Sequence, residues 1–354
     1  MEGDKIENNI EPLETTDDIK EEKEKKEKYF PIINSVIVRY SIALLILLLK
    51  NFMWGIIVQG HLNKVFIQYK IEFLALKSII FNLIFSVLLI FILIKSIKKK
   101  ELEKHSYSCK KYLVNLFINS GLSGLGTFLG NVIHFLLLFL ISRSKSKGKF
   151  PSLTTKTMEA FEEDKLRYVL KGTSNNYYLF LQILVICIGY PITKELIFRK
   201  FLVERLALYS KTLAVFASGI IFGIFHLKLS KLFSTMFVGW FYAYTYAETN
   251  NLLIPISFHM YNNLWSLIIQ RTNASNAYKP KITNIYIVIN ILKFIEFFVG
   301  ICLFTLNRRE MKIKGEEKNS VDKWKLFKSC GFKLIIIEGI AFISLPYILL
   351  WMNH

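Results

Sequence analysis

The sequence predicts an all-α fold, a polytopic transmembrane helical bundle of roughly eight or nine spans. Hydrophobic residues make up 53% of its 354 residues, and its mean hydropathy is +0.36, as is typical of membrane proteins. Apolar runs of about 17 to 25 residues recur along the chain, the length that a helix needs to cross roughly 30 Å of hydrocarbon. They begin near Pro31, Glu72, Tyr112, Asn176, Lys211, Lys231, Asn251, Thr283 and Phe332. The shorter alternating segments of a membrane barrel are absent from the sequence.

The charge of the chain is unevenly divided. Residues 1–28 contain 11 acidic residues against six lysines, a net charge of −5, whereas the rest contains 40 basic and 16 acidic residues, a net of +24. We therefore predict that residues 1–30 form a disordered cytoplasmic tail and that the basic loops stay in the cytoplasm beside anionic lipid. The predicted location is the plasma membrane, with a cytoplasmic N-terminus. Membrane lipid is the expected partner and nucleic acid is not, because no soluble basic domain is present to bind it.

Charged connections divide the apolar runs into segments. Residues 31–143 are predicted to form N-terminal spans, 144–175 a basic polar connection, and 176–270 a core of spans that carries polar residues. Residues 271–354 are predicted to form C-terminal spans around a basic loop at 307–331. The four cysteines have no CxxC spacing, so neither a disulfide framework nor a thiolate metal site is predicted.

The run from Tyr112 to Arg143 is too long for one simple span and has four glycines in its middle. Placing the basic loops in the cytoplasm leaves one run that does not cross once, and this run is the candidate for a re-entrant or miscounted segment. Its GxxxG pair, Gly126 and Gly130, predicts close approach by a neighbouring helix. His134 in the same run is predicted to pack or to form a hydrogen bond inside the bundle.

Five polar side chains recur inside the apolar runs of residues 176–270: Glu195, Arg199, His226, His259 and Asn263. An ionisable side chain in hydrocarbon costs at least roughly 2.5 to 3.5 kcal/mol, so it usually faces a cavity, a partner or a reaction. Glu195 and Arg199 are four residues apart on one helix face, which predicts an ion pair. His259 and Asn263 lie one turn apart, and taken alone they also fit an interhelical hydrogen-bonding pair.

Counting helical rise predicts which of these residues meet. From Glu195 the chain runs roughly 20 Å to the end of its helix, and the next run climbs back roughly 23 Å to His226, so the two residues lie at a similar depth. The same count leaves His259 about 10 Å short, a gap that tilt or a loop would have to close.

These residues resemble the motifs of the CPBP family (CAAX proteases and bacteriocin-processing proteins, also called Abi), whose members are intramembrane proteases. The family motifs are EExxxR, FxxxH and HxxxN or HxxxD. In this sequence they read, in the same order, as Lys194-Glu195-Leu-Ile-Phe-Arg199, Phe222-Gly-Ile-Phe-His226 and His259-Met-Tyr-Asn-Asn263. The resemblance makes residues 176–270 a CPBP-like protease core.

The resemblance implies an active site inside the membrane. In it, Glu195 and His226 would activate a water for peptide hydrolysis, and His259 and Asn263 would stabilise the oxyanion or hold a metal. A carboxylate and an imidazole are suited to share the proton of a water while donors on another helix face the developing charge. If a divalent metal such as zinc takes part, His226 and His259 are its expected ligands. Arg199 and Phe222 match as supporting residues.

Lys194 departs from the family pattern, because it stands where the first glutamate is expected. An ammonium there would repel a divalent cation and cannot act as a carboxylate ligand. Glu195 cannot simply take over, since adjacent helical residues point about 100° apart. Two hypotheses follow: an intramembrane endopeptidase that is active despite Lys194, and a catalytically inactive member that serves as a scaffold or regulator of a membrane or envelope partner.

A second EExxxR string, Glu162-Glu163-Asp-Lys-Leu-Arg167, lies in a polar stretch. We interpret it as part of a solvated or interfacial amphipathic helix, because it lacks the apolar flanks of the first motif.

Overall fold

A computed structural model describes residues 16–65, 71–145, 179–180, 182–276, 283–311 and 327–353. Within these ranges the chain forms nine helices, and one corresponds to each predicted apolar run, which confirms the all-α membrane bundle. They are α1 (Thr16–Val65), α2 (Ile71–Ile94), α3 (Cys109–Lys145), α4 (183–206), α5 (Lys211–Ile224), α6 (Leu229–Thr249), α7 (Leu253–Asn276), α8 (Thr283–Asn307) and α9 (Cys330–Asn353). The beginning of the run near Asn176 and the second EExxxR string lie outside the described residues.

Three helices among the described residues are long and apolar enough to cross a membrane: Glu27–Leu49 in α1, Cys109–Ile141 in α3 and Ile285–Asn307 in α8. The apolar part of α2 and all of α5 are shorter. Much of α8 faces outward and is apolar, as expected where a helix meets lipid rather than water. The protein is therefore an integral membrane protein.

The N-terminal tail differs from the prediction. The structure places residues 16–30 in α1, so the predicted disorder of 1–30 is wrong for its second half. Glutamate and lysine alternate closely in this stretch, and both are good helix formers that pair across one turn. Residues 1–15 lie outside the described ranges.

Helix α3 is continuous from Cys109 to Lys145, which contradicts a re-entrant break in this run. Its glycines have a packing role instead. A Cβ atom on Gly126 would lie 2.4 Å from the Cα of Ser234, and one on Gly130 would lie 2.3 Å from the carbonyl oxygen of Ser230. The predicted close approach is confirmed, and the neighbour is α6.

Glycines also bring α5 against α6. Gly219 lies against the backbone of Trp240, and Gly223 lies against Met236. This contact fixes the register of the two helices, so that Phe222 on α5 meets Gly239 on α6.

Candidate active site

Helix α4 carries the first motif and is irregular on both sides of it. Wide π-helical turns at Ile183–Gly189 and Leu196–Val203 flank the short α-helical stretch Tyr190–Glu195. Such turns often occur at functional sites. Neighbouring helices bond to the backbone of both π-helical turns, since Tyr40 donates to the Ile197 carbonyl at 2.7 Å and Asn263 donates to the Ile186 carbonyl at 2.7 Å.

Glu195 and Arg199 form the predicted ion pair, and both side chains are fully buried. The Nε of Arg199 donates to Oε2 of Glu195 at 2.7 Å, and its Nη1 donates to the Ser218 hydroxyl on α5 at 2.6 Å. The second carboxylate oxygen, Oε1, lies 2.7 Å from Nδ1 of His259 on α7. The Glu195 carboxylate thus connects the first motif to the third. Both of its oxygens are hydrogen-bonded, as is needed to stabilise a buried charge.

Lys194 turns to a different partner, as the angle between adjacent helical residues requires. Its Nζ lies 2.8 Å from Nε2 of His226, and Nδ1 of His226 lies 2.7 Å from the Phe222 carbonyl oxygen. A carbonyl can only accept, so Nδ1 carries the proton and Nε2 accepts from the lysine. The His226 imidazole is therefore neutral, and its Nε2 accepts a hydrogen bond from the Lys194 ammonium.

Phe222 lies between the two histidines. The centroid of its ring is 4.9 Å from that of His226 and 5.7 Å from that of His259, both in edge contacts. The guanidinium carbon of Arg199 stands 5.1 Å from the same centroid. The phenylalanine of the second motif therefore lies in contact with all three polar groups.

The first two motifs lie at the same depth in the bundle, as predicted, because Lys194 contacts His226. The residues that the structure brings together are Lys194, Glu195, Arg199, Phe222, His226 and His259. The gap of about 10 Å that helical counting left at His259 is closed, since its Nδ1 lies 2.7 Å from Oε1 of Glu195. The packing of α5 on α6 places Tyr242, in the middle of α6, beside His259. The helical count must therefore begin at Tyr242 and not at the start of α6. From Tyr242 the chain descends about 10 Å to Thr249 and climbs about 9 Å from Leu253 to His259.

Asn263 lies one turn beyond His259, as predicted, but its amide nitrogen donates to the Ile186 carbonyl. This contact joins α7 to α4 and matches the alternative interpretation of an interhelical hydrogen bond. His134 also behaves as predicted, because it is buried and its Nδ1 is hydrogen-bonded to the Tyr347 hydroxyl on α9.

The site does not fit a metal ion. Among the described residues there is no group of three or more histidine, cysteine or acidic side chains that could hold one. The nitrogen of His226 that would be a ligand accepts from Lys194, and Glu195 bonds Arg199 and His259 instead. An ammonium at this position disfavours a second cation by direct repulsion.

Sequence reasoning missed Tyr242 on α6. Its ring is fully buried and stacks on His259, with centroids 5.6 Å apart and an interplanar angle of 28°. The guanidinium carbon of Arg199 lies 5.7 Å from the same ring. Tyrosines are frequent in this run, so the sequence contains no signal that would have singled out Tyr242.

A second polar cluster was also missed, where α3, α7 and α8 meet. Lys293 donates to Glu296 at 2.9 Å and to the Ser120 hydroxyl at 2.7 Å. The Tyr261 hydroxyl donates to the other oxygen of Glu296, and Lys293 stands over the Trp265 ring. Two opposite charges three residues apart within an apolar run were the available signal.

Comparisons with known proteins match the part of the chain that contains this site. Residues 176–265 match the family model of Rce1-like type II CAAX prenyl endopeptidases. The chain is 36% identical over 112 residues to "Putative membrane peptidase YdiL" of Bacillus subtilis, a match that covers 31% of this chain and 45% of that relative. The chain thus spans less than half the length of the relative that it matches. No solved structure was found to match.

The matched segment contains the three motifs and the site described above. The resemblance to CAAX proteases is confirmed for residues 176–265, which are similar to the Rce1-like family model and lie in the part of the chain that carries the three motifs.

Proposed function

We propose that the protein is an intramembrane endopeptidase of the CAAX-protease type, which hydrolyses a peptide bond near or within the bilayer. The observation that carries the proposal is the convergence of Glu195, His226 and His259, from three helices, around Phe222. Its substrate would be a peptide or membrane protein, and the plasma membrane with a cytoplasmic N-terminus remains its proposed location.

The proposed roles follow from the contacts of each side chain. Glu195, held by Arg199, fixes His259 through Nδ1 and directs Nε2 of that ring away from the carboxylate. Because Nδ1 donates to the Glu195 carboxylate, His259 can also donate from Nε2 only as an imidazolium, with a proton on each ring nitrogen. In that form, paired with Glu195, it would bind the oxygen of the scissile carbonyl, in a buried setting that strengthens such contacts. His226 and Lys194 would act on the attacking water, and Asn263 would hold α7 against α4.

The Lys194–His226 contact favours a second candidate, a catalytically inactive scaffold or regulator. A neutral histidine takes up a proton from water through its free ring nitrogen, and here that nitrogen already accepts from Lys194. Glu195 has both oxygens in hydrogen bonds. In this candidate the site binds a membrane partner without cleaving it.

The two candidates differ in whether new peptide termini are produced. We would compare peptide termini in membranes from cells that contain the wild-type protein or the variants His226→Ala, His259→Ala and His134→Ala. His134 is a matched control, because it is a buried histidine on another helix face, bonded to Tyr347. A peptidase loses the same set of termini in both site variants and keeps them in the control.

Identical termini in the wild type and in His226→Ala would refute the peptidase and support the scaffold. Lys194→Glu then tests the scaffold directly. If that single change creates histidine-dependent termini, the inactivity results from Lys194 itself.

A further inference from the structure

We infer that Tyr242, held by Asn262 and Asn119, is the residue that orients His259 in the site. The inference deepens the proposed function and rests on it for the catalytic consequence. The orientation itself is a property of the folded chain. Tyr242 is a positioning residue here, because it acts on the site through the imidazole.

The contacts of His259 show why it needs a second support. Its Nδ1 lies 2.7 Å from Glu195, but a single hydrogen bond leaves the ring free to tilt about that bond. The Tyr242 ring stacks on one face at 28°, and Phe222 meets the imidazole at 79° with centroids 5.7 Å apart. Together these contacts fix the plane of the imidazole and therefore the direction of Nε2.

A chain of amide donors fixes Tyr242 in turn. The Nδ2 of Asn262 donates to the Tyr242 hydroxyl at 2.8 Å and to Oδ1 of Asn119 at 2.9 Å. Both hydrogens of that amide are therefore used, and the phenol oxygen is an acceptor in this contact. Asn119 also donates to the Phe258 carbonyl at 3.4 Å, next to His259 in α7.

This support reaches beyond the segment that matches the CAAX endopeptidase family. Asn119 lies on α3, outside residues 176–265, and it is fully buried. Gly126 and Gly130 seat α3 directly on α6, the helix that carries Tyr242. Helix α3 is thus part of the apparatus that shapes the site.

The neighbouring Tyr246 supplies a matched control. It lies one turn from Tyr242 on α6, it is also buried, and its hydroxyl donates to Glu204 at 2.7 Å. Removal of either hydroxyl costs one buried hydrogen bond. Only Tyr242 touches His259, so only its loss is expected to change the imidazole.

The test is magnetic resonance of the full chain in lipid nanodiscs, with ¹³C- and ¹⁵N-labelled histidine. The His259 signals are assigned by their loss in His259→Ala. Tyr242→Leu is expected to move the Hε1 signal of His259 downfield, because the shielding by the stacked ring disappears. Asn262→Leu is expected to move it in the same direction by less, and Tyr246→Phe is expected to leave it in place.

Tyr242→Phe is a second variant for the case in which Tyr242→Leu does not fold, since it keeps the ring and removes only the hydroxyl. We expect a smaller shift of the same sign and, if the protein is a peptidase, a roughly three- to tenfold slower appearance of products. An unchanged His259 signal in Tyr242→Leu overturns the inference, as does an equal shift in Tyr246→Phe. Absence of wild-type cleavage would refute the proposed peptidase while leaving the magnetic resonance result to decide the positioning.

Discussion

Removal of Arg199 is the sharpest test of how the buried site is stabilised. In Arg199→Met the fully buried Glu195 loses its guanidinium partner and keeps only His259. Loss of one member of a buried ion pair typically costs about 3 to 5 kcal/mol, because the other charge is left uncompensated. The hydrogen bond from Arg199 to Ser218, at 2.6 Å, is lost as well.

The chain offers its own reporter for this measurement. Cys187 is buried in α4, next to the site, whereas the other three cysteines are exposed: Cys109, Cys302 and Cys330. With those three replaced by serine, a thiol-reactive dye reports thermal unfolding in detergent through Cys187. At about 2 °C per kcal/mol for a large domain, Arg199→Met is expected to lower the midpoint by roughly 6 to 10 °C.

The double variant Glu195→Gln/Arg199→Met separates the two causes of destabilisation. In the double variant no buried charge is left without a partner. It is therefore expected to recover most of the stability that Arg199→Met loses, since replacement of both partners of a buried pair is often nearly neutral. Arg199 also packs over Phe222 and Tyr242. If the double variant melts as low as Arg199→Met alone, lost packing and not a stranded carboxylate is the cause, and our reasoning is refuted.

Two further predictions concern contacts outside the site, measured with the same dye. Gly126→Ala is expected to destabilise by about 1 to 3 kcal/mol, because its Cβ would meet backbone of α6 at 2.4 Å. Gly124→Ala is expected to cost less, because the atoms nearest to its Cβ belong to the side chain of Phe297, which is able to move. Equal costs for the two variants would contradict the role of backbone approach. Lys293→Met is expected to destabilise more than Lys293→Met/Glu296→Gln, since the single change leaves Glu296 in the bundle without its cation. The reverse order would contradict this reasoning, because it would show that Ser120 and Tyr261 suffice to stabilise the Glu296 carboxylate.

Local patterns predicted the helices and the motif contacts that depend on one helix. The Glu195–Arg199 pair follows from a spacing of four residues, and the packing of Gly126 follows from the absence of a side chain. The helical start at Thr16 does not follow from the charge of the N-terminal segment, because high charge is typical of disorder whereas the same glutamates and lysines also favour a helix.

The sequence by itself determined the membrane class, the helices and the set of residues from which the site is built, because hydrophobic length and helical spacing are local properties. Only the tertiary structure determined which of these residues are in contact with each other. The register of α5 on α6 brings His259 to Glu195 and stacks it on Tyr242, and the side-by-side packing of α4 and α5 sets Lys194 against His226. These contacts depend on tilt and on glycine-mediated approach between helices, which are set by all the packed surfaces together and not by any one segment.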